Sequence, residues 1–421
     1  MDGFRHVFKF GGASVKDAAG IRNMVKLLKD FQHTQLIIVV SAMAKTTNAL
    51  EQVLKYWMDG SEERWKEWKD IKHFHLAIVD ELFTESAERK RVCDSLEGIW
   101  EEMDSILRSK PTQFSKEYDR LVSYGELLST RIIVHFLQNE NLDVIWKDCR
   151  QLIVTDSTHR NARIQWEATE AKVKESFDEK SWYITQGFIG ANAKGHTTTL
   201  GREGSDYTAA ALCYVLEYDS VTIWKDVPGI KNGDPKVFKD TVLLHQLSYE
   251  EAIELAYYGA SVIHPKTIQP LQRKSIPLYV KSFLEPTNRG TVIGSRLELT
   301  PHIDCFIRKD KQWWLRVSTR DLAFIAEDQL SLIYKIFYDL GIRINLSTHS
   351  AVSSSFCFNG EPQLKLELFD RLELLFDLEL IQNVQLYTIR HSREGSREKI
   401  EGYLRVLHEQ KTKDTFQLVV V

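Results

Sequence analysis

The chain has 421 residues and a net charge of −4, with 43% hydrophobic and 27% charged residues. That length suits two or three domains of ~100–200 residues each, and the balance is that of a globular protein. The mild negative charge leaves no basic footprint for nucleic acid, and no apolar run approaches the ~18 residues that signal a membrane span.

The N-terminus, MDGFRHVFKF, has no apolar stretch before a small-residue cleavage site, so the expected location is cytoplasmic. Cys93, Cys149, Cys213, Cys305 and Cys357 are scattered and never at metal-ligand spacing. They read as reduced buried thiols rather than bridges or zinc ligands.

Strand and helix signals alternate through the first 295 residues. His6–Phe10 is a short apolar strand ending in Gly11-Gly12, and Ile21, Met24, Val25 and Leu28 mark one face of the helix that follows. Leu36–Val40 is a continuous apolar run, the pattern of a strand buried on both faces. Residues 49–118 read as helical throughout, an elaboration of the main domain. Leu96, Ile99, Trp100, Met103, Ile106 and Leu107 form its helical stripe. Strand patterns return at Val144–Trp146, Trp182–Phe188, Val221–Trp224 and Pro277–Val280. Helices near 206–217, 248–258 and 266–274 separate them, and Thr197–Thr199 reads as an exposed polar loop. Ser248 and Glu251 form a capping box, and Gly259 stands where glycine closes a helix. The alternation predicts an α/β domain over 1–295, a mostly parallel sheet sandwiched by helices. Ligands in such sheets gather outside the carboxyl ends of the strands.

The pattern changes after Leu284–Pro301. Trp314–Ser318, a helix near 328–340 closed by Gly341, Ile342–Leu346, Ser353–Phe358, a helix near 363–376 and a strand near 383–390 spell βαββαβ. That order predicts a ferredoxin-like α+β module within 300–421. A helix near 396–409 and a strand at 415–421 follow. The pairs Trp65 with Trp68 and Trp313 with Trp314 read as packing or an interface.

Several segments carry chemistry. Gly11-Gly12 between a strand and a helix allows close backbone approach and can cradle phosphate, and Lys9 would set a charge beside that cradle. Taken alone, a K-x-G-G of this kind fits a tight turn with a solvated lysine better. Gly201–Asp206 precedes an apolar helix, where Ser205 and the first N–H groups suit an anion and Arg202 suits a carboxylate. Asp206 also fits a capping role, and Glu126 in S-Y-G-E fits a first-turn glutamate or an anchor for an ammonium group. Ser41 and Thr47 are hydroxyl donors after a buried strand, or N-caps. Lys225-Asp226 and Asp234-Pro235 mark turns. No P-loop or protein-kinase signature is present, no Ser-His-Asp arrangement can be defended, and His264 reads as structural.

In this order on one chain, K-F-G-G, S-Y-G-E-L-L-S-T, T-L-G-R-E-G-S-D-Y, W-K-D-V-P-G-I-K-N-G-D-P and Y-Y-G-A-S-V-I-H-P resemble the amino acid kinase superfamily, and within it the aspartokinases. The kinase resemblance covers about residues 5–295. It implies Mg²⁺-dependent transfer from ATP to the β-carboxylate of L-aspartate, giving 4-phospho-L-aspartate, the first step toward lysine, threonine and methionine. Lys9 and Asp206 match the catalytic pair. Lys9, Gly11, Gly12, Ser41, Lys225, Asp226, Lys231, Lys236 and Ser261 fall at nucleotide positions. Thr47, Glu126, Arg202 and Ser205 fall at substrate positions, with Arg202 on the α-carboxylate. No residue matches a dedicated metal ligand. A carboxylate nucleophile is already ionised at neutral pH, so the absence of a histidine base agrees with this reading.

The chain departs from the family pattern in places. Ala13 replaces a common Thr, Ser261 replaces a lysine near the nucleotide, and Lys225 replaces a Thr. Glu203 replaces a glycine, so its side chain must point outward, pair with a cation or weaken nucleotide binding. The C-terminal region resembles the ACT domains of aspartokinases, with the second unit shortened. Glu327-Asp328-Gln329 stands where effector-binding members have glycine, and Asn345 where lysine-sensitive members have Asp. The resemblance implies a homodimer or higher homo-oligomer, and a monofunctional kinase with no homoserine dehydrogenase portion. The alternatives are an amino-acid-binding regulatory protein with weakened catalysis, or another superfamily kinase.

Overall fold

The computed structural model describes residues 4–31, 34–178, 181–260, 263–321, 323–400 and 405–421, with side chains omitted at 363–365. Contacts divide it into two units. The first comprises Met1–Ile230, Leu243–Ile253 and Val262–Pro301, and the second Lys231–Val242, Glu254–Ser261 and His302–Val421.

The chain opens with β1 (Arg5–Phe10), α1 (Ala18–Lys29) and β2 (Gln35–Val40). The helical elaboration is α2 (Thr46–Met58), α3 (Glu63–Leu82), α4 (Ser86–Arg108) and α5 (Phe114–Val122), followed by α6 (Tyr124–Asn139). Then come β3 (Val144–Lys147), α7 (Cys149–Leu152), β4 (Val154–Thr155), α8 (Trp166–Ser176), β5 (Trp182–Gln186), β6 (Ile189–Asn192) and β7 (Thr197–Thr199). They lead to α9 (Gly204–Leu216), β8 (Ser220–Lys225), β9 (Gln246–Ser248), α10 (Tyr249–Tyr258), α11 (Pro265–Arg273), β10 (Leu278–Ser282) and β11 (Thr291–Gly294).

The main sheet has the order β3-β5-β2-β1-β8-β10-β11-β9. Every neighbouring pair is parallel except β10 with β11. The continuous apolar runs fit this position, since helices cover both faces of a parallel sheet. Ile37, Ile38, Val39 and Val40 are all fully buried. The helix α9 carries buried Ala209, Ala210, Ala211 and Leu212 and packs against β1. A run of small residues permits that close approach. Asp17 caps α1 by accepting from the Gly20 N–H, and Ser248 Oγ accepts from the Glu251 N–H, one half of the expected box.

Thr197–Thr199 is a correction. These residues form β7 of a small sheet with β4 and β6, and Thr198 and Thr199 are fully buried. The polar composition misled because the hydroxyls find partners inside. Thr198 Oγ1 lies 2.6 Å from Thr155 Oγ1, and Thr199 Oγ1 donates to Asp119 Oδ1 at 2.6 Å.

His75 lies fully buried in α3, with Nδ1–H donating to the Ile71 carbonyl at 2.8 Å. Burial lowers its pKa to about 4, against the smaller upward pull of that bond. The folded value is below the unfolded one, so this group costs stability as pH falls from about 6.5 to about 4. Thermal melts of His75→Leu across that window should lose the wild-type decline attributable to this ring; an unchanged slope would assign the decline to other groups.

The second unit holds β12 (Cys305–Thr319), α12 (Glu327–Asp339), β13 (Ile344–His349), β14 (Ser353–Asn359), α13 (Pro362–Leu372), β15 (Phe376–Arg390), β16 (Val406–Lys411) and β17 (Thr415–Val420). The expected βαββαβ order is present, in a sheet ordered β13-β14-β12-β15-β17-β16. Trp313 and Trp314 point to opposite faces of β12. Trp313 packs with Ile333, Phe337 and Leu368, and Trp314 with Cys357, Val384 and Val419, so both serve as core. The helix expected near 396–409 is a second correction. Its described part is a 3₁₀ turn, Arg397–Lys399, and the strand β16, while 401–404 lie outside the described residues. A short segment does not choose its own period; pairing with β17 makes Val406–Lys411 a strand.

Candidate active site

The site is built where β1, β2, β5 and β8 end together. Parallel register sets Lys9 beside Val39 of β2 and Ile223 of β8. The loops after these strands therefore open on one edge of the sheet.

After β1 the backbone turns at Gly11-Gly12. A Cβ added at Gly12 would sit 2.8 Å from the Ala42 carbonyl oxygen and 2.9 Å from that of Ala44, so only glycine fits. The Ala44 N–H donates to the Gly12 carbonyl at 3.1 Å, clasping the first loop to the loop after β2. The same second loop is held by α6. Ser129 Oγ donates to the Ser41 carbonyl at 2.8 Å, and Glu126 Oε1 accepts from the Ala42 N–H at 3.2 Å. Gly125 permits this approach, since a Cβ there would lie 2.9 Å from the Ala42 Cβ.

Lys9 and Asp206 meet. Lys9 Nζ lies 2.7 Å from Asp206 Oδ1, and Lys225 Nζ lies 3.9 Å from Oδ2. Lys9 is 9% exposed and Asp206 2%. Of the two roles open to Asp206, the pairing with Lys9 is the one observed. A buried pair of this kind holds the lysine side chain in one place while leaving its other hydrogens free to donate.

Glu126 is 2% exposed, and its Oε2 has no hydrogen-bond partner among the described residues. Burial pushes its pKa up to about 8, against the downward pulls of the Ala42 N–H and Lys9. A buried acceptor without a donor suits a ligand that brings a cation.

A cavity of about 640 Å³ has Lys9, Ser41, Thr47, Glu126, Arg202, Ser205, Asp206 and Lys225 in its wall. Gly11 and Gly12 are not among its lining residues, though a Cβ added at Gly11 would sit 3.2 Å from Lys9 Nζ. Asp226 is exposed just beyond Lys225. Lys231 and Lys236 belong to the second unit, and Ser261 lies outside the described residues. His264 caps α11, accepting from the Lys266 N–H, in keeping with a structural role.

Tyr118, Arg160 and Phe188 also line the cavity and carried no sequence signal. Arg160 lies 4.7 Å from the Tyr118 ring centre, and Tyr118 donates to Glu51 at 2.8 Å. Behind them Asp119, fully buried, accepts from Thr199, His159 and the Arg160 N–H. This cluster ties the end of α5 to the strand that delivers Gly201 and Arg202. Its members are far apart in sequence, so no spacing could mark them.

Such a wall can bind polyphosphate through lysines and glycine turns, and a small acid through a guanidinium. Residues 5–282 match the amino acid kinase family. Lysine-sensitive aspartokinase 3 of Escherichia coli is 30% identical over 398 residues, covering 91% of this chain and 86% of that protein.

The chain belongs to the aspartokinases of the amino acid kinase family.

Aspartokinase 1 of Arabidopsis thaliana chloroplasts is 31% identical over 383 residues, covering 88% of the chain and 66% of that protein. The crystal structure of E. coli aspartokinase III in complex with aspartate and ADP matches with a TM-score of 0.82 and 27% identity, covering 99% and 96% of the two chains. Family membership makes the chain an aspartate kinase with an α/β fold, a parallel sheet with helices followed by a C-terminal antiparallel sheet. Among the described residues no helix is long and apolar enough to cross a membrane.

Proposed function

We propose that this aspartokinase-family chain transfers the γ-phosphoryl group of ATP to the β-carboxylate of L-aspartate. One aspartate oxygen forms a bond to phosphorus, the bond from that phosphorus to the bridging oxygen breaks, and ADP leaves with the electron pair. No proton moves, so alignment and charge are what the protein supplies. The observation that carries this reading is the Lys9–Asp206 pair in a cavity that also holds Arg202 and Glu126.

In this reading Gly11 and Gly12 offer backbone N–H groups to the phosphates, with Ser41 and Lys225 beside them. Lys9 meets the transferring phosphoryl group, and Asp206 holds Lys9 in position. Arg202 grips the α-carboxylate, Glu126 takes the ammonium group, and Thr47 and Ser205 donate hydroxyls. Lys231, Lys236, Asp226 and Ser261 remain candidates for nucleotide contact. Among the described residues no cluster of three or more His, Cys, Asp or Glu forms a cage for metal. Mg²⁺ bound with a nucleotide prefers phosphates, water and one or two carboxylates. Asp206, Glu126 and Glu203 are carboxylates in that wall, and Mg²⁺ bound with ATP would supply neutralisation of phosphate charge.

The product, 4-phospho-L-aspartate, would open the route to lysine, threonine and methionine, in the cytoplasm. The second unit would be an ACT-type region that joins copies of the chain into a homodimer or larger homo-oligomer.

The test is trapping of the acyl phosphate as a hydroxamate with ATP, Mg²⁺ and aspartate, run beside glutamate, acetylglutamate and UMP as acceptors. Turnover only with another acceptor, or ADP binding with no turnover, would sink the proposal. Arg202→Ala should raise the aspartate KM roughly 10–100-fold with kcat within about threefold, the loss of a charged hydrogen-bonding group. Steady-state kinetics check this.

A further inference from the structure

Glu203 sits immediately before α9 with φ 52° and ψ 31°, in the left-handed region that a side chain seldom adopts. It lines the same cavity as Lys9, Lys225 and Asp206. It does not point outward: Oε2 is buried and has no hydrogen-bond partner among the described residues. The charged groups that act on it are Lys225, Asp206, Lys9 and Arg202, and burial, the largest influence, raises its carboxyl above the ordinary value.

Asp206 is committed to Lys9 at 2.7 Å and stands 3.9 Å from Lys225. Glu203 is therefore a second negative charge in a wall whose lysines are already engaged. With no ligand, this carboxylate balances the cations. A polyphosphate entering the wall meets it as a like charge in a poorly solvated place, where repulsion is strong. We propose that Glu203 is an electrostatic brake on nucleotide binding, a carboxylate standing among the phosphate-facing cations that must swing away or be neutralised before nucleotide seats. The inference rests on reading this cavity as the nucleotide site.

The brake acts most on nucleotide that carries its full charge. The test is calorimetric titration of the full chain with ADP, once in EDTA and once in excess Mg²⁺, for wild type, Glu203→Gln and Glu203→Gly. Both variants should bind metal-free ADP at least about tenfold more tightly than wild type, and the advantage conferred by Mg²⁺ should shrink. Glutamine keeps the side-chain length and removes the charge, while glycine also relieves the backbone. Tightening in Glu203→Gly alone would assign the effect to backbone strain and overturn the proposal. Weaker Mg²⁺-dependent binding in Glu203→Gln would make Glu203 a metal ligand and overturn it too. If wild type binds ADP and neither variant binds it more tightly, the brake is wrong while the nucleotide site stands. If none of the three binds ADP, the nucleotide reading falls and the brake with it.

Discussion

Lys9→Met should cut turnover roughly 10²–10³-fold while changing the aspartate KM little, as expected when a charge that acts mainly in the transition state is removed. The methionine keeps the apolar stem and deletes the ammonium group. Lys9 Nζ sits 2.7 Å from Asp206 and is nearly enclosed, so its charge is poorly screened by water. The same substitution strands a buried carboxylate. Breaking a buried pair costs up to about 3–5 kcal/mol, and Lys225 at 3.9 Å offsets part of it. Thermal melts separate the two effects. The double variant Lys9→Met with Asp206→Asn should recover most of the lost stability and none of the turnover. Near-normal turnover in either variant would remove Lys9 from the mechanism.

Aspartate binding should release a proton below pH 8. Glu126 has a folded pKa pushed up to about 8 by burial, so the empty site holds it protonated at neutral pH. An incoming ammonium group favours the carboxylate, and binding must then expel the proton. The aspartate KM should fall as pH rises from 6 toward 8, with a slope approaching tenfold per unit. Glu126→Gln should flatten that slope and raise KM roughly 10–100-fold at pH 8, the loss expected for a charged hydrogen bond. The unliganded fold provides an independent sign. A carboxyl whose folded pKa is raised costs stability as pH climbs from about 4.5 to about 8. Glu126→Gln should therefore lose less stability than wild type across that window. KM profiles that run parallel in the two proteins would exclude Glu126 as the ammonium anchor.

Much of the first unit was legible in the chain because its signals are local. Leu36–Val40 declares a doubly buried strand through continuous apolarity, and Gly11-Gly12 declares a tight turn between strand and helix; the Ala42 and Ala44 carbonyls that demand glycine at Gly12 appear only in the structure. The βαββαβ order of the second unit was equally readable. The errors came where tertiary partners decide. Thr197–Thr199 looks solvated until Asp119 and Thr155 are placed beside it. Val406–Lys411 looks helical until β17 pairs with it.

By itself the sequence determined the alternating architecture, the glycine turns and the identity of the charged groups, because backbone freedom and side-chain periodicity are properties of neighbouring residues. Only the tertiary structure decided which charges meet. Lys9 reaches Asp206 because β1 lies parallel and adjacent to β8 with α9 packed against it. Glu126 becomes a weak acid because α6 buries it under the Ser41–Ala44 loop. Glu203 takes a left-handed backbone conformation and buries its Oε2 in the cavity wall. Burial and distance set the strength of a charge, and neither is written in the spacing of residues along a chain.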